Sequence, residues 1–153
     1  MAIAITLHLF GVLLWVGGML FVHFQLRPAV AEVLDPPQRL RLWVSLFGRF
    51  FPWVWVAILT ILGTGLWAVF AVFGGFSRIS PAIHLMLGSG FIMLGVFAYI
   101  FFAPFQHLRI AVADQDWSTG GRAMGRIRVL MSTNLIFGLV NTALGVMSRY
   151  IAI

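Results

Sequence analysis

The sequence predicts an all-α integral membrane protein, an antiparallel bundle of four transmembrane helices. Three observations point there. Of the 153 residues, 61% are hydrophobic and only 9% charged, against about 45–50% and about 25% in soluble domains. Counting His as neutral, no charge falls in 1–26, 50–77, 79–108 or 129–148, and each run matches or exceeds the roughly 20 residues that cross a bilayer as helix. These runs take up almost the whole chain, which leaves one small membrane domain over 1–153.

Span 1 is expected over about 2–24, ended by Arg27-Pro28. Its apolar run lacks a basic n-region and is far longer than that of a cleaved signal, so it reads as a retained span. Asp35-Pro36-Pro37 looks like an N-cap with Pro at the first helical position. Leu40, Trp43, Val44 and Phe47 then repeat at helical spacing opposite Gln38, Arg39, Arg41, Ser45 and Arg49. That is an amphipathic lead-in along the interface, running into span 2 over about 51–73. Gly74-Gly75 marks a tight turn, and Ser80-Pro81 caps span 3, about 81–103, which continues past Pro104 to about Ala113. A second polar turn over 114–121 precedes a helix from Thr119 or Arg122 that becomes span 4, about 129–150. Trp43, Trp53, Trp55 and Trp117 fall where an aromatic belt is expected.

Net charge +6 arises from ten arginines and four acids. Eight arginines fall in the 1–2 and 3–4 connections, and only Arg78 and Arg149 fall on the other side. The positive-inside rule then explains the basic balance without nucleic acid and places both termini outside, in the periplasm of a bacterial inner membrane. Zero Cys removes disulfides, iron–sulfur clusters and thiolate metal sites. That no acid lies inside a span also argues against a proton pump built on a buried carboxylate.

Ligating groups inside a span are functional candidates. His8 lies about two turns into span 1 and His84 in the first turn of span 3. The two spans run the same way, so both imidazoles come near the outer face, as a bis-His haem requires. Gly11 and Gly88 follow one turn later on the same faces, where a flat macrocycle could approach the backbone. Arg78 and Arg149 lie where propionates would emerge. His23 and His107 are not expected to meet, because His107 lies about 35 Å along the helix from His84. Copper is the chemical rival, through His84 with Met86 or Met147. Asn134, Gly138, Asn141, Gly145 and Ser148 share one face of span 4 and read mainly as helix packing, including a homodimer seam.

Several stretches resemble the copper-resistance protein D (CopD) family. They are Leu7-His8-Leu9, Trp15-Val16-Gly17-Gly18-Met19, Leu26-Arg27-Pro28-Ala29, the run from Pro36 to Trp43, Thr64-Gly65-Leu66-Trp67, His84-Leu85-Met86 and Ala103-Pro104-Phe105. The likeness is to the short stand-alone bacterial members. It implies copper handling, with uptake from the periplasm. The domain is also similar to HemJ-type membrane proteins, which implies haem b on a first-span His. The second ligand in that group is a Lys; this chain has none, and His84 takes its place. The expectation is therefore a small membrane cytochrome b, with one haem b on His8 and His84 and electron exchange with quinone or a periplasmic partner. The alternatives are copper binding or uptake on the same histidines, and a haem-free scaffold subunit.

Overall fold

The computed structural model describes residues 1–147. Four helical stretches long and apolar enough to cross a membrane follow one another as an all-α bundle. They are α1 (Ala2–Val33), α2 (Pro36–Ala71), the pair α3 (Pro81–Phe102) and α4 (Pro104–Ala113), and α5 (Trp117–Met147). This is a multi-pass membrane protein, as composition predicts.

α1 runs further than expected. Arg27-Pro28 does not end it; the helix continues to Val33. The reason lies just upstream, where residues Val22–Leu26 form a π turn. The missing Pro28 N–H falls at a point where the regular hydrogen-bond ladder has already shifted register. A second π turn occupies Leu13–Gly17. Past the end of α1, Arg39 satisfies carbonyls that have lost their helical partners. Its Nη2 donates to Ala31 O at 2.6 Å and its Nε to Leu34 O.

α2 begins where Asp35-Pro36-Pro37 predicts. Gln38 Oε1 accepts from the Asp35 N–H at 3.3 Å, one half of a capping box. The lead-in and span 2 form one unbroken helix. Trp43 is not part of an interfacial belt; it is buried and stacks on Phe47 at 5.3 Å. The Gly74-Gly75 turn has φ of 78° and 116°, which glycine adopts without strain. Ser80 Oγ then accepts from Ile83 N at 3.4 Å to cap α3.

α3 breaks at Ala103, whose φ of −115° and ψ of −84° lie outside the helical region, as a residue before Pro is pushed to do. Gln106 Nε2 donates to Phe101 O at 2.9 Å, satisfying a carbonyl near the break. α5 starts at Trp117, two residues before the earliest expected position. Asp116 is its cap, accepting from Thr119 N at 3.0 Å. Hydrogen bonds from the Thr119 side chain and N–H hold the Asp116 carboxyl below its ordinary value.

Most of the core lies toward the arginine-rich end. Phe47, Phe51, Phe97, Phe105, Leu108 and Ile127 are buried there, with Phe51 meeting Phe97 at 5.3 Å and Phe105 at 4.9 Å. Toward the amino-terminal face α1 packs on α2, and α3 packs on α5. Asn134 and Gly138 of the small-residue face of α5 are buried inside the chain, whereas Asn141 is half-buried and Gly145 exposed. Asn134 Nδ2 donates to Met93 O at 3.0 Å, Ser89 Oγ to Asn141 Oδ1 at 2.6 Å, and Gly138 lies against Val16 and Met93. Ser148 lies outside the described residues.

A Cβ at Gly138 would come 2.8 Å from Val16 Cγ2, whereas one at Gly121 meets nothing within 4 Å. Gly138→Ala should therefore destabilise the detergent-solubilised protein by about 1–3 kcal/mol. Gly121→Ala should be neutral or stabilising by up to about 1 kcal/mol. Thermal unfolding of the two variants checks the contrast.

Candidate metal-ligand site

His8 stands one packing layer from α2, half-buried. Its Nδ1 is 2.9 Å from Thr64 Oγ1. The Thr64 hydroxyl donates its single proton to a carbonyl of its own helix, Thr60 O at 2.6 Å, with Ile61 O at 3.2 Å. Toward the imidazole it is an acceptor. His8 therefore carries its proton on Nδ1, and in the neutral ring Nε2 keeps a lone pair. A hydrogen bond on one ring nitrogen that fixes the other as donor is how proteins prepare a His for metal.

His84 shows the same logic. Its Nδ1 lies 3.1 Å from Ser80 O, a carbonyl that can only accept, so Nδ1–H donates and Nε2 is the open nitrogen. The ring is exposed. Met86, two residues on, folds onto α5, with Sδ 3.9 Å from the position of a Gly145 Cβ. Both imidazoles and a thioether thus belong to the amino-terminal face. The rings stand on different helix pairs, α1 with α2 and α3 with α5.

The glycines divide. Gly11 is buried against α2, where a Cβ would meet Ile61 Cγ1 at 2.8 Å and Ala57 O at 3.2 Å. It serves the α1–α2 contact and gives no cradle for a macrocycle. Gly88 is open, with nothing within 4 Å of a Cβ. The Arg78 side chain folds back over the turn, its Nη1 3.3 Å from a Gly74 Cβ. Arg149 lies outside the described residues.

At the opposite end a crevice is lined by Met19, His23, Arg27, Trp43, Met124, Arg128 and Met131, among others. His23 sits within the second π turn of α1, a feature frequent at functional sites. Its Nδ1 is 3.3 Å from Ser132 Oγ, which itself donates to Arg128 O at 2.9 Å. By the same proton count, His23 Nε2 is open. His107 is exposed on α4. Sequence reasoning overlooked this crevice, although Met124 and Met131 stand seven residues apart, a spacing that places them on one face.

Residues 44–148 match the family model described as Copper resistance protein D. The match takes in Thr64, His84, Met86 and most of α2 to α5; α1 with His8 and His23 precedes it. No curated protein and no solved structure matches the chain.

Thr64→Val removes the acceptor that fixes the His8 proton. Imidazole nitrogen NMR should show a single Nδ1–H tautomer at His8 in the parent protein. The variant should show a mixture or the Nε2–H form.

Proposed function

This chain belongs to the copper resistance protein D family, and we propose that it binds copper at the amino-terminal face of the bundle for passage into the membrane. His8 Nε2, His84 Nε2 and the Met86 thioether are the proposed donors. The observation that carries this reading is the tether on each imidazole, Thr64 for His8 and the Ser80 carbonyl for His84, which leaves Nε2 as the free nitrogen on both. Imidazole and thioether are the donor set that suits Cu(I), and with no Cys in the chain no thiolate competes for the ion. Because the rings stand on different helix pairs, an ion held by both would draw the pairs together. The arginine asymmetry supports this face being periplasmic, in a bacterial inner membrane, with uptake directed inward.

Haem b on the same two nitrogens is the weaker reading. The residues do not fit it well, because Gly11 is filled by Ile61 and Ala57 rather than facing a flat macrocycle. The associated electron exchange with quinone or a periplasmic partner weakens with it.

Titration of the purified protein with Cu(I) under a competing chelator tests the assignment. One ion per chain is expected. His8→Ala and His84→Ala should each weaken binding by about tenfold or more, about 1.4 kcal/mol. A Soret band after haem-sufficient expression, lost in both variants, would replace copper with haem. Unchanged affinity in both would remove the site.

A further inference from the structure

Residues 124, 131, 138 and 145 of α5 stand seven apart, close to two helical turns, and so follow one face. Two of them are methionines and two are glycines. Each glycine is the place where a methionine of α3 comes in. Met93 Cε lies 3.3 Å from a Gly138 Cβ, and Met86 Cε lies 3.2 Å from a Gly145 Cβ. The face therefore carries four thioethers in succession, Met86, Met93, Met131 and Met124, separated by about 10 Å along the axis. Together they cover about 30 Å, the thickness of the hydrocarbon layer. Met19 of α1 joins the last two in the crevice with His23. Of the seven methionines, only Met1 and Met147 stand off this line.

Methionine is an ordinary filler of apolar gaps, but the middle of the column holds more than filler. Asn141 Nδ2 donates to Met93 Sδ at 3.8 Å, and Asn134 Nδ2 donates to Met93 O. The other end of that amide, Asn134 Oδ1, is buried in a side chain only 1% exposed and has no hydrogen-bond partner among the described residues. A pure packing contact in lipid has no use for a desolvated, unpaired carbonyl oxygen. It belongs to the side chain that bonds the Met93 backbone, so an unsatisfied polar atom sits on the residue held against the middle rung of the column.

We propose that the thioether column is a conduit for Cu(I), leading from the His8 and His84 face past Met86, Met93 and Met131 to the crevice of Met19, Met124 and His23. This rests on the copper reading above. Each sulfur hangs on a flexible unbranched arm, which shortens the gaps between rungs. At the far end, Arg27 and Arg128 both line the crevice. Their charge repels a cation, so this end suits release and not storage.

The test uses the full chain in proteoliposomes, with Ag(I) as a redox-inert probe. Met93→Leu, Met131→Leu and the double variant keep side-chain volume while removing sulfur. Uptake should fall at least tenfold in the double variant, with one Ag(I) still bound at the amino-terminal face. Uptake at the parental rate would overturn the conduit and leave copper binding at that face standing. No Ag(I) or Cu(I) binding by the parent protein would overturn both. Should the variants fold poorly, methionine-methyl NMR of the parent protein under Ag(I) titration decides. Shifts at Met93 and Met131 are expected, and their absence at saturation would overturn the conduit.

Discussion

The bundle depends on the aromatic cluster that fastens its arginine-rich half. Phe47 and Phe51 stack at 4.9 Å on α2, and Phe51 meets Phe97 of α3 and Phe105 of α4 edge-on. Trp15 of α1 joins through Phe97 at 6.1 Å. In lipid there is no hydrophobic gain from bringing helices together, so close packing of large flat groups has to supply the cohesion. The cluster ties three spans at one end. Toward the other face the helices pair as α1 with α2 and α3 with α5, and the histidines of that face stand on different pairs. Mechanical firmness is concentrated away from the proposed entry site.

A second constraint shapes the chemistry. Polar side chains within the spans need partners, because the hydrocarbon offers none. Thr60, Thr64, Ser132, Thr133 and Thr142 all donate to carbonyls of their own helices. Once a hydroxyl has spent its proton in that way, it faces a neighbouring imidazole as an acceptor. His8 and His23 are both set in this manner, with Nδ1–H toward the hydroxyl and Nε2 open. The rule that pacifies threonine and serine in a membrane thereby orients the neighbouring histidine, with Nδ1 held and Nε2 left open.

Much of the architecture was legible in the sequence, because charge-free runs, Pro caps and Gly turns act locally. Asp35-Pro36-Pro37, Gly74-Gly75, Ser80-Pro81 and the passage of span 3 beyond Pro104 are where local chemistry predicts. The end of span 1 was not legible. A π turn is set by register and packing, and Arg27-Pro28 read alone is a helix stop. The candidate site was legible in its residues and not in its partners. His8 and His84 stand out as ligating groups in apolar runs, whereas the Thr64 tether spans 56 residues of sequence. Gly11 follows His8 by nearly one turn, yet packing on Ile61 decides its use. The methionine column joins two helices through glycines, so neither helix shows it alone.

The most direct measurement is copper X-ray absorption on the purified protein loaded with one equivalent of Cu(I). The account predicts a low-coordinate Cu(I) with imidazole nitrogen and thioether sulfur in its coordination shell, the sulfur disappearing in Met86→Leu. A shell of oxygen donors alone, or copper lost on desalting, would contradict it.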